Sequence, residues 1–481
     1  MTTARKNTLV MIMAGGKGSR LSPLTCHRSK PAVPFGGRYR IIDFVLTNFL
    51  NSGYRQIYVL TQYMASSLIK HLNRNWHISG FGQFIEVVPA QKRVGEFWYR
   101  GTADSVFQNL NLIRDSGADT VAIFGGDHIY KCAVDQMEAE HHANRADLTV
   151  AAFPVPQHEA HQFGVIDVDG DGRVIGFLEK PENPPSIPGR PGWTLVSMGN
   201  YFFRAKALTD VLQSESQRSD SKMDFGGDIV PRLVETGARV FTYDFAKNVV
   251  PGEPSNAEPY WRDVGTLDSY FQANMDLRSR LPALNVYNRD WRIRTAQRDY
   301  PPARFVRSHE SAGGVDIHDS LVCEGSIVAS ARLTDALIGY DSYIHAGCDV
   351  EDSVILSGCD VGANSRLRRV LFDKNCKIDR NTVMGYDEEA DRKRFPFVTE
   401  SGIIVLPTGT HVPSEGPIQL AHDIEELLRK DPDTKDMMEE FSERYTISDV
   451  RRHSYISSGP RYQRYAGIFD DDDDGNDGDV E

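Results

Sequence analysis

The sequence predicts an α/β domain with a Rossmann-like, mostly parallel sheet, followed by a left-handed parallel β-helix. Three observations predict it. Short apolar runs alternate with stretches of helical periodicity from residue 8 to residue 280, the pattern of a sheet layered with helices. A glycine-rich turn, Gly15-Gly16-Lys17-Gly18, follows the first of those runs. From Val315 to Gly385 the texture changes to paired apolar residues separated by Gly, Asp and Ser. Their steps of about six residues (Ile327 to Leu333, Ile344 to Val350) suit stacked hexapeptides.

Taken in order, Leu9–Met13 reads as the first parallel strand, and Ile57–Thr61, Thr120–Phe124 and Leu148–Phe153 as further buried strands. Tyr63–Asn73 and Thr102–Arg114 carry helical periodicity between them. Val174–Leu178 reads as another strand. Val134–Ala143 reads as a helix whose His141-His142 pair is expected at the surface, because adjacent residues do not share a helix face. In such sheets functional groups gather at the carboxyl ends of strands, where Gly125-Gly126-Asp127-His128 falls. The expected domains are 8–280 (catalytic), 281–314 (an Arg- and Pro-rich connector), 315–410 (β-helix) and 411–481 (a charged extension). Within the extension Ile418–Arg429 and Lys435–Arg444 are expected helices, with low order beyond Ser448.

Composition narrows the function. The net charge of −13 is concentrated at the end, where residues 470–481 carry eight carboxylates and no base. Such a block reads as a solvated tail, and nothing in the charge pattern suggests nucleic-acid binding. No apolar run of about 18 residues predicts a membrane span, and the first residues lack the apolar segment of a secretory signal. Six cysteines without CxxC spacing point to the reducing cytoplasm rather than to zinc or disulfides.

The residues around the glycine turn carry the chemistry. Gly15, Gly16 and Gly18 let backbone N–H groups approach a phosphate chain closely. Arg20 adds a fork-shaped cation and Lys30 a point charge, a pairing suited to polyphosphate. The spacing is neither the dinucleotide fingerprint nor the P-loop. The glycines by themselves equally fit an ordinary βα turn, and an Asp such as Asp127 after a strand is by itself more often a turn or cap residue.

The full string, G-G-x-G-x-R-L-x-P-L-T followed by Lys30-Pro31, resembles the signature of sugar-nucleotide pyrophosphorylases. Ordered matches then narrow the resemblance. Lys30–Gly37, Arg40–Phe44, Trp98–Asp104, Gly126–Tyr130, Phe163-Gly164-Val165, Glu179-Lys180-Pro181, Ser197-Met198-Gly199 and Tyr260–Thr266 are similar to bacterial glucose-1-phosphate adenylyltransferases, across residues 8–405. The resemblance implies that ATP and α-D-glucose 1-phosphate give ADP-glucose and pyrophosphate, for glycogen or related α-glucan synthesis. It implies Arg20, Lys30 and Asp127 as catalytic residues, and Gly15, Gly16, Gly18, Arg20 and Lys30 as the nucleotide site. Asp127 and Asp263 would hold Mg²⁺. Tyr99, Gly164, Glu179, Lys180 and Ser197 would bind glucose 1-phosphate. Arg38, Arg40, Gln62 and Trp98 would belong to effector binding and its communication. A homotetramer controlled by phosphorylated metabolites is implied as well.

Two departures bear on that control. His27 and Pro34 stand where well-known enteric members have a lysine and a histidine, so the identity of the effector stays open. Other nucleotides or sugar phosphates, a bifunctional uridylyl/acetyltransferase and a non-catalytic regulatory subunit are the competing readings. Arg20, Lys30 and Asp127 are all present, against the last of these.

Overall fold

The computed structural model describes residues 7–78, 80–254, 256–307 and 313–448. The acidic tail and the low order expected beyond Ser448 lie outside these residues. The chain divides into two units: one of residues up to Leu21 with His27–Arg298, the other of Ser22–Cys26 with residues from Asp299 onward.

The first unit is built on a nine-stranded sheet. Its strands are β1 (Thr8–Met13), β2 (Gln56–Thr61), β3 (Phe84–Pro89), β4 (Thr120–Gly125), β5 (Leu148–Pro156), β6 (Gly164–Val168), β7 (Val174–Glu179), β8 (Trp193–Arg204) and β9 (Val240–Asp244). Their main order is β7-β6-β8-β4-β1-β2-β3, with β5 pairing β8 and β9. Strands β3, β2, β1 and β4 are mutually parallel, and so are β5 and β9. The long β8 runs antiparallel to β4, β5 and β6. Side chains of β1 alternate between two cores, as the pleat requires. Val10 and Ile12 pack in one core with residues of the helices Ile41–Asn51, Ser66–Asn75 and Val134–Ala143. Leu9 and Met11 pack in the other with residues of Thr102–Phe107, Ala205–Glu215 and Val230–Glu235. Burial on both faces explains why these strands read as continuous apolar runs. The aromatic trio Phe49, Phe124 and Phe202 packs edge to face, Phe124 lying 4.7 Å from Phe49 and 5.9 Å from Phe202 between ring centres.

One expectation fails on this side of the sheet. His142 is exposed, but His141 is buried, its Nδ1 2.9 Å from Thr149 Oγ1 on β5. Burial, with His142 beside it, lowers its pKa to about 4, so it is neutral at pH 7. Period arguments correctly separated the two side chains onto different faces but did not identify the core-facing one.

The second unit is the left-handed parallel β-helix. Leu333 pairs with Val350, Val350 with Leu367 and Leu367 with Met384, all in parallel register. A second face stacks Val328, Ile344, Val361, Ile378 and Val412 in the same way. Each coil is about 17 residues, three near-hexapeptides. Corners recur in columns of left-handed backbone: Ser330, Gly347, Asn364 and Asn381 in one, Asp341, Gly358 and Asn375 in another. Gly, Asn and Asp tolerate that conformation, which accounts for the polar punctuation between the apolar pairs. Arg304–Val306, inside the 281–314 stretch, already pairs with Ile327–Ala329.

The extension is folded as far as residue 448. Ile418–Ala421 is a strand rather than the start of a helix, and it pairs in parallel with Tyr445–Ser448. The helix begins only at His422 and runs to Lys430, and the second covers Lys435–Glu440. A four-residue apolar segment fits either period, and pairing along the sheet decides it as a strand.

Candidate active site

A cleft of about 560 Å³ opens at the carboxyl ends of β1, β2 and β4. The turn from Gly15 to Gly18, with Ser19 and Arg20, forms one side. Tyr99, Gly101, Thr102 and Ser105 form another, and Lys30, Pro31, Asp127 and Gly265 complete it. Close packing sets this arrangement. The N–H of Gly126 donates to Met13 O at 3.0 Å, and a Cβ on Gly126 would lie 2.9 Å from Ile42 Cδ1. The end of β4 therefore sits tightly beside β1, and Asp127 emerges next to the glycine turn. Gly101 is equally constrained, since a Cβ there would lie 2.4 Å from the carbonyl oxygens of Lys222 and Met223.

The charged centre joins residues far apart in the chain. His128–Tyr130 and Trp261–Asp263 pair antiparallel, placing Asp263 opposite His128 and so beside Asp127. Lys30 Nζ lies 3.1 Å from Asp127 Oδ2 and 2.8 Å from Asp263 Oδ1. The lysine side chain is 8% exposed, whereas Asp127 and Asp263 retain 39% and 25% of their exposure. Burial would lower the lysine's pKa, but Asp127 and then Asp263 outweigh it and raise the value above 10.5. Burial would likewise raise Asp127, yet Lys30 and then His128 hold its carboxyl well below the usual range. The ammonium and carboxylate are thus both charged at pH 7.

Asp127, His128 and Asp263 offer ligand atoms within 4.8 Å of one another. Two partly exposed carboxylates, Asp127 in the cleft and Asp263 beside it, suit a hard divalent cation, which takes few protein carboxylates and completes its shell with phosphate oxygens and water.

The other predicted residues divide. Tyr99 lines the cleft, and its hydroxyl accepts from Asn109 Nδ2 at 2.9 Å. Gln62, also in the cleft, clamps Tyr99 through its main chain, accepting from Tyr99 N at 2.7 Å and donating to Tyr99 O at 3.3 Å. Gly15 lies against Gln62, 3.3 Å from its Cβ to a Cβ built on the glycine. Gly164, Glu179, Lys180, Ser197 and Asp263 are not among the residues lining this cleft. Gly164 and Glu179 face each other across β6 and β7, and a Cβ on Gly164 would lie 3.3 Å from Glu179 Oε2. Lys180 adopts φ +48°, a left-handed conformation costly for lysine and concentrated at functional positions. Ser197 Oγ accepts from the N–H of Gly199 at 3.2 Å.

Trp98 is 54% exposed, with Lys92 Nζ 5.2 Å from its ring centre. Arg38 is exposed. Arg40 donates to the carbonyl and hydroxyl of Ser67, each at 2.9 Å. Burial lowers its pKa to about 10, with Arg28, Arg298 and Arg74 adding to the effect and Asp43 opposing it. Neither arginine lines the cleft. Two further residues stood in the sequence only within matched strings, with no role given to them. Asp43, fully buried, accepts from Arg40 N, His71 Nε2, Trp76 Nε1 and Thr295 Oγ1, anchoring the arginine-rich region. His128 adjoins the carboxylate pair, and its only sequence signal was its place beside Asp127.

Residues 9–280 match the family described as nucleotidyl transferase, and residues 301–406 match the GlmU-like C-terminal hexapeptide family. A glucose-1-phosphate adenylyltransferase of an Anaeromyxobacter species is 49% identical over 407 residues, covering 84% of this chain and 98% of the relative. The chain belongs to the glucose-1-phosphate adenylyltransferase family. Relatives of that name from Deinococcus deserti and Vibrio parahaemolyticus (the latter numbered 1) are 46% and 48% identical, each covering 84% of this chain and 98% of its own length. In this adenylyltransferase-family chain, the charged centre lies within the segment that matches the nucleotidyl transferase family.

The ion pair gives a pH signature. Asp127's folded pKa is below its ordinary 3.8, so its contribution is fully present above that value and is lost as pH falls through the folded one. Lys30's contribution is present below 10.5 and is lost as pH rises through its raised folded value. In metal-free buffer, Lys30→Met should lower Tm by a nearly constant amount between about pH 5 and 9, with the gap shrinking below about pH 4. Thermal melts across that range check this; a gap that widens in acid would contradict it.

Proposed function

We propose that this chain transfers the adenylyl group of ATP to α-D-glucose 1-phosphate, yielding ADP-glucose and pyrophosphate for α-glucan synthesis. The observation that carries it is Lys30 bridging Asp127 and Asp263 beside the glycine-rich turn, in a chain of this family. A phosphate oxygen of glucose 1-phosphate attacks the α-phosphorus of ATP, the α–β bridging bond breaks, and pyrophosphate leaves. The nucleophile is a phosphate monoester, largely dianionic at neutral pH, so no general base is needed. The obstacles are repulsion between anions and charge growth on the leaving group, so positioning and cationic stabilisation dominate.

The backbone N–H groups of Gly15, Gly16 and Gly18 hold the triphosphate, and Arg20 and Lys30 neutralise the departing pyrophosphate. Asp127 and Asp263 would hold Mg²⁺, which would supply positive charge to neutralise the phosphates. Tyr99, Gly164, Glu179, Lys180 and Ser197 bind glucose 1-phosphate, Glu179 accepting sugar hydroxyls and Lys180 pairing with the phosphate. Residues 8–280 carry this chemistry, and the β-helix at 315–410 serves assembly and control rather than acyl transfer.

We assign effector binding by phosphorylated metabolites to the arginine-rich region of Arg38 and Arg40, with Gln62 and Trp98 communicating it to the cleft. Burial lowers Arg40 most, and the neighbouring Arg28, Arg298 and Arg74, which add to it, support an anionic ligand there; the clamp of Gln62 on Tyr99 supports the communicating role. A cytoplasmic homotetramer is the assembly we propose. Among the described residues no helix is long and apolar enough to cross a membrane.

Pyrophosphate release with Mg²⁺ and glucose 1-phosphate, compared across ATP, UTP, GTP and dTTP, tests the reaction. A strong preference for ATP is expected; a preference for another nucleotide, or no release with any, would overturn it. Lys180→Ala should raise KM for glucose 1-phosphate at least tenfold with a smaller change in kcat, because it removes a ground-state phosphate contact. Loss confined to kcat would contradict that role.

A further inference from the structure

We infer that Asn200 is a positioning residue of the transfer reaction: its buried carboxamide fixes the Gly125–Tyr130 segment, and with it Asp127, against the strand that carries Ser197. This rests on the adenylyl-transfer reading above, and it gives a role to a residue that does not line the cleft.

Strand β8 is interrupted where it passes this segment. Against β5, Tyr201 stands opposite Val150 and Ser197 opposite Ala152, so β8 carries extra residues between them. Gly199 lies in that bulge at φ +67°, a left-handed backbone that glycine adopts without strain. Its N–H donates to Ser197 Oγ. Bulges beside active sites re-aim side chains, and this one turns Asn200 inward, where it is 1% exposed. Pairing of β8 with β4 ends at Tyr201 opposite Ile123. Further along that edge, the N–H of Gly125 donates instead to Asn200 Oδ1 at 3.2 Å. The side chain takes the rung that the bulge removes. Asn200 Nδ2 donates to Tyr130 Oη at 3.3 Å, so one carboxamide spans both ends of the segment. The amide has one orientation, because a main-chain N–H can meet only its oxygen.

Asp127 depends on this directly. A Cβ on Gly125 would lie 3.1 Å from Asp127 Oδ1, so the carboxylate rests against the residue that Asn200 holds. The far end of the segment is held separately. Asn48, also buried, donates to Tyr130 O at 3.1 Å and accepts from Cys132 N at 3.0 Å. Loss of Asn200 therefore releases the near end. An apolar side chain of the same size would leave the Gly125 N–H unpaired, and a chain that moves to pair it moves Asp127. A displacement of about 1 Å at a reacting centre is enough to cost about a hundredfold in rate.

The test compares Asn200→Leu and Tyr130→Phe with the wild type, all as full chains. Asn200→Leu is expected to lower kcat about tenfold or more, with KM for glucose 1-phosphate within about twofold. It is also expected to raise the Kd for Mn²⁺, read by EPR with inorganic pyrophosphate present, about fivefold or more. Tyr130→Phe removes one of the two contacts and is expected to show the same pattern at about threefold, adding little on top of Asn200→Leu. A packing role alone would lower Tm without that split. Unchanged kcat in folded Asn200→Leu, or a loss confined to KM, overturns the inference and leaves the reaction standing. If Asn200→Leu does not fold, Tyr130→Phe decides by the same criteria. A wild type that makes no ADP-glucose overturns the adenylyl-transfer reading and the inference together.

Discussion

One buried ammonium organises this molecule's chemistry. Lys30 stands between Asp127 and Asp263 with its side chain almost fully covered, and its charge persists there because two carboxylates face it. Taking a lysine out of water costs several kcal/mol unless it is paired. Each partner is delivered by a different long-range contact. Asp127 is brought by the parallel pairing of β1 with β4, and Asp263 by the small antiparallel pair Trp261–Asp263 with His128–Tyr130. Removing the lysine would leave two like charges side by side, so the ion pair and the local fold depend on each other.

The consequences extend along the cleft. The glycine turn, Arg20, Lys30 and Asp127 converge on one space at the carboxyl ends of parallel strands, with Asp263 joined to them through Lys30. The opposite wall is set by contacts of the same kind. Gly101 packs against backbone carbonyls, and Gln62 grips both main-chain polar groups of Tyr99. Electrostatic stabilisation of a leaving pyrophosphate requires groups held in place before binding, and these contacts hold them.

Much of this was legible in the sequence because the signals are local. The apolar runs of β1, β2 and β4, the glycine turn and the six-residue steps of the β-helix each reflect backbone geometry within a few residues. Convergence was not legible from periodicity. Asp263 came only through resemblance, because nothing near it in the chain announces that a short antiparallel pairing with His128–Tyr130 places it beside Asp127. His128 stood in the sequence only as the neighbour of Asp127, because its closeness to Asp263 comes from that same pairing. His141 shows a different limit: spacing separates two faces but does not say which one meets the core. The strand Ile418–Ala421 was misread as helix because its partner, Tyr445–Ser448, lies far along the chain. The strained backbone of Lys180 has no sequence signature, since lysine is a poor choice for that conformation.

Calorimetric titration of inorganic pyrophosphate tests the central claim most directly, with and without Mg²⁺, on the wild type and on Lys30→Met. The account predicts binding that requires Mg²⁺ in the wild type and is weakened about a hundredfold or more by the substitution, with affinity for glucose 1-phosphate little changed. Unaltered pyrophosphate affinity in Lys30→Met, or equal loss for both ligands, would contradict it.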